Sequence, residues 1–211
     1  MTVSRSRVGR PKDQAKRQAI LTAAVQLFTS TPYDMVTMEA VATQAGVSKM
    51  TVYSHFEDKE TLFEMIVTSV SDRMVAAFGA SDRDDASLRE RMVCIGIGFM
   101  SIILGPDVIG LSQMLPMALR SNQALTERFH AAGPGRVKPL LIAMIATAAE
   151  SGQLEVDDPL LAAQDLFSQW EGGLKPDHGC GVVDLVSSEE IDRRVRRGTD
   201  VFLRAYTPKA G

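Results

Sequence analysis

Apolar residues recur at intervals of three and four along almost the whole chain, the spacing that places them on one face of an α-helix. No alternating polar and apolar run of useful length predicts a β-strand. Proline, glycine and short polar runs separate the periodic segments. The pattern predicts an all-α protein with helices at Lys16–Ser30, Met38–Ala45, Lys49–His55, Asp58 to about Phe78, Ala86–Leu104, Asp107–Arg120, Asn122–Ala132, Val137–Glu150, Asp158–Gly172 and Ser188–Tyr206.

The second and third predicted helices are short and closely spaced, which is typical of a helix-turn-helix. Thr37 and Ser48 are placed to cap their N-termini, and Gly46 is placed to end the first of them in the left-handed conformation. An α-helix fits the major groove of DNA, where its outward side chains meet base edges and phosphates. The outward face of the third helix carries Lys49, Met50, Thr51, Tyr53 and Ser54.

The segment around this motif resembles the TetR family of transcriptional regulators. The resemblance runs from Arg17 to about Val67, and its most specific part contains Ala-Gly-Val-Ser, Tyr53, His55-Phe56 and Lys59-Glu60-x-Leu62. It implies an all-α dimer with an N-terminal three-helix helix-turn-helix head, joined by a long fourth helix to a C-terminal helical domain for ligand binding and dimerisation. We therefore expect a basic flexible arm at 1–15, the DNA-binding domain at 16–62 and the effector-binding and dimerisation domain at 63–211.

The resemblance also implies contact roles for the matching residues. Lys49 and Thr51 would read bases, and Lys59 would anchor a phosphate from the start of the fourth helix. Met50 and Ser54 depart from the residues common at their positions, and Met50 would meet a thymine methyl group. The residues that would hold the DNA backbone are Thr37, Ser48, Tyr53 and His55. Without the resemblance, His55 would be a structural histidine and Lys59 a solvated lysine.

Charge is distributed unevenly over the 211 residues, whose formal net charge is −3. The first twenty residues hold six basic side chains and one acidic one, whereas residues 150–192 hold eleven acidic side chains and one basic one. This asymmetry favours a protein that presents one end to a polyanion. Beside Pro11, Arg10 is expected in an extended arm that enters the minor groove of A·T-rich DNA, with a nonspecific electrostatic tail as the alternative.

The last two predicted helices carry narrow apolar seams suited to helix–helix packing. The tail from Ser188 to Tyr206 resembles TetR-family members of the AefR-like kind, and the family implies a four-helix dimer interface. The expected interface residues are Phe167, Trp170, Ile191, Val195, Gly198 and Phe202. Ordinary core packing within one chain is the alternative for these residues.

The middle of the chain is rich in methionine and other flexible apolar residues, which suit a cavity for a small apolar ligand. The expected effector-pocket residues are Phe99, Met100, Ile103, Met114, Met117, Phe129, Met144 and Trp170. The alternative for each of them is a plain hydrophobic core.

Several classes of protein and site are not supported by the sequence. No apolar run approaches the ~18 residues that a membrane span needs, so we expect a cytoplasmic protein with no membrane partner. Neither cysteine belongs to a Cys-x-x-Cys pair, and His178 with Cys180 provides too few ligands, so no metal is expected. No nucleophile elbow or phosphate loop indicates an enzyme, and no cofactor is implied.

Together these features predict a sequence-specific, DNA-binding transcriptional regulator. We expect a homodimeric repressor that a small apolar effector releases from a palindromic operator in double-stranded DNA. The alternative is a regulator of the same fold, either an activator or a protein controlled by a protein partner, that has no small-molecule effector.

Overall fold

The computed structural model describes residues 9–81, 85–172, 174 and 186–209, and within these ranges the chain is helical and has no strands. The predicted all-α fold is therefore confirmed. The helices are α1 (Gly9–Ser30), α2 (Met38–Ala45), α3 (Lys49–His55), α4 (Lys59–Ser81), α5 (Leu88–Ile103), α6 (Pro106–Met114), α7 (Pro116–Ser121), α8 (Gln123–Ala132), α9 (Pro134–Glu150), α10 (Pro159–Glu171) and α11 (Ser188–Tyr206), with a 3₁₀ turn at Tyr33–Met35.

The chain forms two compact units. Unit 1 comprises Met1–Ile66 and Gly110–Thr126, and unit 2 comprises Val67–Ile109 and Glu127–Gly211. The sequence placed the boundary after residue 62 and assigned Gly110–Thr126 to the C-terminal domain. Gly110 belongs with unit 1 because a Cβ at this position would lie 2.7 Å from Cβ of Thr29, so α6 approaches the end of α1 closely.

Unit 1 is built around an aromatic cluster that joins α1, the 3₁₀ turn and α4. The ring centroids of Phe28, Tyr33 and Phe63 lie 5.3 to 5.5 Å apart, and all three side chains are buried. Asp58 Oδ1 accepts a hydrogen bond from the Thr61 amide at 2.6 Å, so the predicted cap of α4 is present. The cluster fixes the three-helix head from which α3 is displayed.

Unit 2 is held together by the close packing of α5, α10 and α11 around Trp170. The Trp170 indole is fully buried and donates a hydrogen bond from Nε1 to Thr199 Oγ1 at 2.9 Å. A Cβ at Gly96 would lie 2.6 Å from Val195 Cγ1, and one at Gly198 would lie 2.6 Å from the Gln169 carbonyl oxygen. The two glycines therefore let α5 and α11 approach α10 more closely than any side chain would allow.

The first predicted helix and the predicted helix Asp107–Arg120 both differ from the structure at a proline. The first helix begins at Gly9 rather than Lys16, and Pro11 lies in its first turn, where a missing amide costs no hydrogen bond. The predicted extended backbone at Arg10 and Pro11 is therefore wrong. The predicted helix Asp107–Arg120 is divided at Leu115, because Pro116 cannot continue a preceding helix and instead starts α7.

Among the described residues, no single helix is long and apolar enough to cross a membrane. One bent pair of consecutive helices, α5 with α6, meets the test by length and composition only.

The tight contact at Gly198 leads to a stability prediction. Replacing Gly198 with Ala improves helix propensity, but the new methyl group overlaps the Gln169 carbonyl oxygen, which belongs to backbone and cannot rotate away. We expect a net loss of about 1 to 3 kcal/mol in the free energy of unfolding, measured by urea denaturation.

Gly79→Ala is the matched control, because a Cβ at Gly79 in α4 has no atom within 4 Å. This variant should be neutral or more stable by up to ~1 kcal/mol. A Gly198→Ala protein as stable as Gly79→Ala would contradict the proposed overlap.

Candidate nucleic-acid interface

The predicted helix-turn-helix is present, and local hydrogen bonds define both of its helices. Thr37 Oγ1 accepts a hydrogen bond from the Ala40 amide at 3.1 Å, and Ser48 Oγ accepts one from the Thr51 amide at 3.1 Å. Between the helices Gly46 adopts φ 65°, the left-handed conformation that the turn requires. These caps and this turn determine where α3 begins relative to α2.

One face of α3 is anchored in unit 1 and the opposite face is exposed. Val52 is buried in the core of the unit, and Phe56 is buried directly after the helix. Met50 is 78% exposed, and Lys49, Tyr53 and Ser54 are also exposed. The helix therefore presents a mixed cationic, apolar and aromatic surface to its surroundings, as the sequence predicted.

The ammonium group of Lys49 on α3 forms an ion pair with the carboxylate of Glu39 in the first turn of α2. It also lies 5.6 Å from the centroid of the Tyr53 ring. The hydrogen bond from Lys49 lowers the pKa of the Glu39 carboxyl group and raises the pKa of the Lys49 ammonium group. Both groups are therefore charged at neutral pH, and Glu39 holds Lys49 against the surface of the motif.

The hydroxyl groups of Ser48, Thr51 and Ser54 are engaged in local hydrogen bonds. Thr51 is half-buried, and its Oγ1 lies 2.9 Å from Ser48 Oγ. Ser54 donates a hydrogen bond from Oγ to the Thr51 carbonyl at 2.7 Å. Thr51 and Ser48 would have to reorient their hydroxyl protons to bind another molecule.

The side chains of His55 and Lys59 are held against other residues of unit 1. They are less exposed than we expected for groups that bind DNA phosphates. The His55 side chain is only 10% exposed, and its Nε2 lies 3.3 Å from Asp13 Oδ1 on α1. Lys59 donates a hydrogen bond from Nζ to the Tyr33 carbonyl at 3.0 Å and lies 4.4 Å from the centroid of the Tyr33 ring. The alternative of a solvated Lys59 is therefore wrong, since this side chain joins α4 to the 3₁₀ turn.

Two family models match the chain on either side of residue 66. The model of bacterial regulatory proteins of the tetR family matches residues 20–66, and the model of the C-terminal domain of AefR-like transcriptional repressors matches residues 90–208. The second match alone covers more than half of the chain. The chain belongs to the TetR family. Members of this family are helix-turn-helix, DNA-binding transcriptional regulators, and TetR-family regulators are not enzymes.

Other proteins of known sequence or structure resemble this TetR-family chain. The HTH-type transcriptional regulator YdeS of Bacillus subtilis (strain 168) is 35% identical over 81 residues, 37% of this chain and 41% of YdeS. A TetR-family regulator from Mesorhizobium loti MAFF303099 has a TM-score of 0.77 at 24% identity, with 93% of this chain and 99% of that chain covered. The flavonoid-responsive regulator FrrA has a TM-score of 0.71 at 26% identity, with 92% and 98% covered. The chain covers less than half of the length of the first curated relatives that it matches.

Unit 2 of this TetR-family protein contains a cleft of about 350 Å³ between the end of α4, the start of α5 and the middle of α9. Its walls are mainly apolar and include Phe78, Leu88, Leu140 and Met144. Met144 is the residue of the predicted effector pocket that lines this cleft.

The other predicted pocket residues are dispersed. Met100 and Trp170 are fully buried core residues, and Phe99 packs edge-on against Phe167 at 5.4 Å between ring centroids. Met117 is 83% exposed on α7. These residues do not line the cleft described above, and their part in an effector pocket stays a prediction, because methionine-rich composition does not separate core packing from cavity lining. The remaining residues, which are partly buried, are Ile103, Met114 and Phe129.

The predicted dimer residues are mostly buried within one chain. The seam of α11 packs against α5 and α10 of the same unit, as the contacts of Val195 and Gly198 show. A side chain that is already buried in the protomer has no surface left to bury against a partner. Trp170, Ile191, Val195, Gly198 and Phe202 are therefore core residues of the protomer, whereas Phe167 is half-buried, and their part in a dimer interface stays a prediction.

Three residues named in the sequence analysis have side chains that the structure does not describe, namely Arg10, His178 and Cys180. The minor-groove contact of Arg10 therefore stays a prediction. Within the described ranges no cluster of three or more His, Cys, Asp or Glu side chains could hold a metal ion.

The ion pair of Glu39 with Lys49 was not predicted from the sequence. The signal that was available is the acidic residue in the first turn of α2.

Removing the Glu39 carboxylate is predicted to strengthen DNA binding. Glu39→Gln frees the Lys49 ammonium group and removes a negative charge beside the exposed face of α3. We expect the Kd for any duplex to fall about 2- to 5-fold at low ionic strength. This change corresponds to the free energy of one exposed ion pair. Fluorescence anisotropy over a series of salt concentrations measures the effect, which should shrink as the salt concentration rises.

Asp192→Asn is the matched control, because Asp192 is also an exposed carboxylate in an ion pair, with Arg196 at 2.7 Å. It removes the same formal charge at α11. If both variants changed the Kd equally, the effect of Glu39→Gln would reflect net charge alone and the specific role of Glu39 would be refuted.

Proposed function

We propose that this protein is a homodimeric repressor that binds a palindromic operator in double-stranded DNA through α3 and is released by a small apolar effector. The observation that carries the proposal is the exposed surface of Lys49, Met50 and Tyr53, displayed by a helix whose opposite face is anchored through Val52. As a regulator of chromosomal genes it would act in the cytoplasm.

The proposed contacts follow from the exposure and hydrogen bonds of each side chain. Lys49 and Thr51 read base edges, and the 78% exposed Met50 contacts a thymine methyl group. Tyr53 and Ser54, both exposed, lie at the edge of this surface and contact the sugar-phosphate backbone. These are the side chains that an α-helix in the major groove brings closest to DNA.

The remaining proposed contacts involve groups that are already bonded within unit 1. Thr37 accepts a hydrogen bond through its oxygen and can donate its hydroxyl proton to a phosphate, and Ser48 can do the same. Lys59 uses one of its three N–H groups on the Tyr33 carbonyl and can direct another at a phosphate. His55 has little exposed surface, so its proposed part is to position the end of α3 through Asp13.

Repression and effector release are supported by different observations. The family model that matches residues 90–208 describes transcriptional repressors, and the structural relative FrrA is named as flavonoid-responsive. The cleft of about 350 Å³ in unit 2 has the size and apolar lining of a small-molecule site. An effector acts by favouring a dimer conformation in which the two α3 helices no longer match adjacent major grooves.

A dimer requires surface that the protomer leaves uncovered. Leu160 and Leu161 at the start of α10 are 49% and 54% exposed, and Val201 on α11 is 36% exposed. Large exposed apolar side chains are candidates for a partner surface. We propose that the outward faces of α10 and α11, rather than the seam between them, contact the second subunit.

Selection of duplexes from a random pool tests the DNA-binding part of the proposal. We expect an inverted repeat with half-site centres about one helical turn, ~34–36 Å, apart. Met50→Ala should lower the preference for thymine at one position in each half-site about fourfold. This factor corresponds to the free energy of burying one methyl group. Met35→Ala is the control, since Met35 is also a largely exposed methionine of unit 1. An unchanged base preference in Met50→Ala would contradict the proposed contact.

Sedimentation velocity tests the dimer surface. Leu161→Glu places two charges in a twofold interface, so the dimer dissociation constant should rise at least ~100-fold. Met117→Glu introduces the same charge at an exposed methionine of α7 and should leave the dimer intact. Dimers that persist in Leu161→Glu would exclude this part of α10 from the interface.

A further inference from the structure

The first turns of α1 extend beyond the hydrophobic core of unit 1. The helix begins at Gly9, and the first buried residue among its described side chains is Ile20. Residues 9–19 therefore form about three turns, or ~16 Å, of helix outside the core. A helical segment that buries so little apolar surface depends on polar contacts for its position.

Two such contacts hold the extension against the end of α3. Asp13 Oδ1 lies 3.3 Å from Nε2 of His55, the last residue of α3. The guanidinium carbon of Arg17 lies 5.3 Å from the ring centroid of Phe56, which directly follows α3. Asp13 and Arg17 are one turn apart, so they lie on the same side of α1. The extension therefore has a defined position beside the helix that is proposed to enter the major groove.

The adjoining side of the extension carries two exposed lysines, Lys12 and Lys16. The spacing of four, three, four and three residues places positions 12, 16, 19, 23 and 26 in one stripe along α1. At the other end of this stripe, Gln26 Oε1 accepts a hydrogen bond from Gln44 Nε2 of α2 at 2.9 Å. The two lysines therefore lie on the side of α1 that faces the helix-turn-helix. Among the described residues, neither ammonium group has an ion-pair partner.

The charge of this segment suits a polyanion. Residues 9–19 hold four basic side chains and one acidic one, whereas Lys49 on α3 is already paired with Glu39. We propose that the first three turns of α1 form a second DNA-contact surface, in which Lys12 and Lys16 bind phosphates beside the base pairs that α3 contacts. This inference deepens and rests on the DNA binding proposed above. It differs from an electrostatic tail because the helix fixes the position of both lysines.

The variant Lys12→Gln/Lys16→Gln of the full chain tests the surface. Each phosphate contact contributes about 0.9 to the slope of log K against log salt concentration, so the slope should fall by about 1.8 for each subunit. At low ionic strength the Kd for a random-sequence duplex should rise about 3- to 30-fold, the range for two exposed ion pairs. Fluorescence anisotropy over a series of salt concentrations measures both quantities.

Lys138→Gln/Lys209→Gln is the matched control. Both lysines are exposed and lie in unit 2, so this variant removes the same formal charge away from α1. Its salt slope should equal that of the unmodified protein, because salt screens charges that are distant from the duplex. Equal changes in the two double variants would mean that net charge alone is responsible, and would overturn the proposed surface.

Ala15→Pro tests whether the lysines act from a helix. Ala15 is exposed, and proline at this position interrupts the first turns of α1 without changing any charge. This variant should lose the same part of the salt slope as the lysine variant. Its urea midpoint should stay unchanged, because the core begins at Ile20. An unchanged slope and Kd would show that the lysines act from a flexible tail, which contradicts the proposal.

The outcomes separate this proposal from the proposed function. If the lysine variant binds every duplex as its control does, while Met50→Ala changes base preference, DNA binding through α3 stands and the surface on α1 is overturned. If the lysine variant loses its part of the salt slope but the random pool yields no inverted repeat, the surface on α1 stands and the palindromic operator fails.

Discussion

The close approach of α5, α10 and α11 around Trp170 is the constraint on which unit 2 depends. Gly96 and Gly198 permit this approach, and the Trp170 indole fills the resulting space and donates its hydrogen bond to Thr199. Two consequences follow for function. The apolar seam of α11 is buried within the protomer, which is why the proposed dimer uses the outward faces of α10 and α11. The side of α5 that carries Arg91 lines the cleft, while Gly96 faces Trp170.

Unit 1 depends on shorter-range interactions. Two N-caps, one left-handed glycine and one buried valine determine the position of α3, and all four are local to a stretch of sixteen residues. The ion pair of Glu39 with Lys49 adds an electrostatic control to this rigid frame. A protein with a negative net charge has to bind a polyanion through a small cationic surface, and an acidic residue within that surface moderates its attraction for DNA of any sequence.

The sequence predicted those features whose cause is local. The caps at Thr37, Ser48 and Asp58 and the turn at Gly46 depend on a few adjacent residues, and all were found where expected. Features that depend on a distant partner were not predictable. The periodic apolar face of α11 shows that it packs against something, but not whether the partner is α10 of the same chain or a second subunit. Lys59 likewise gives no sign in the sequence that it bonds to the Tyr33 carbonyl 26 residues away.

Gly79 has a consequence for how related regulators could diverge in ligand preference. It lies on an exposed stretch of α4 and contributes to the wall of the cleft without supporting any other side chain. A substitution at this position by Ala, Val or Leu would add one, three or four carbon atoms to this wall, and the methyl group of Ala would meet no neighbouring atom within 4 Å. The size of the cleft is therefore adjustable at this position in small steps that leave the packed core of unit 2 unchanged.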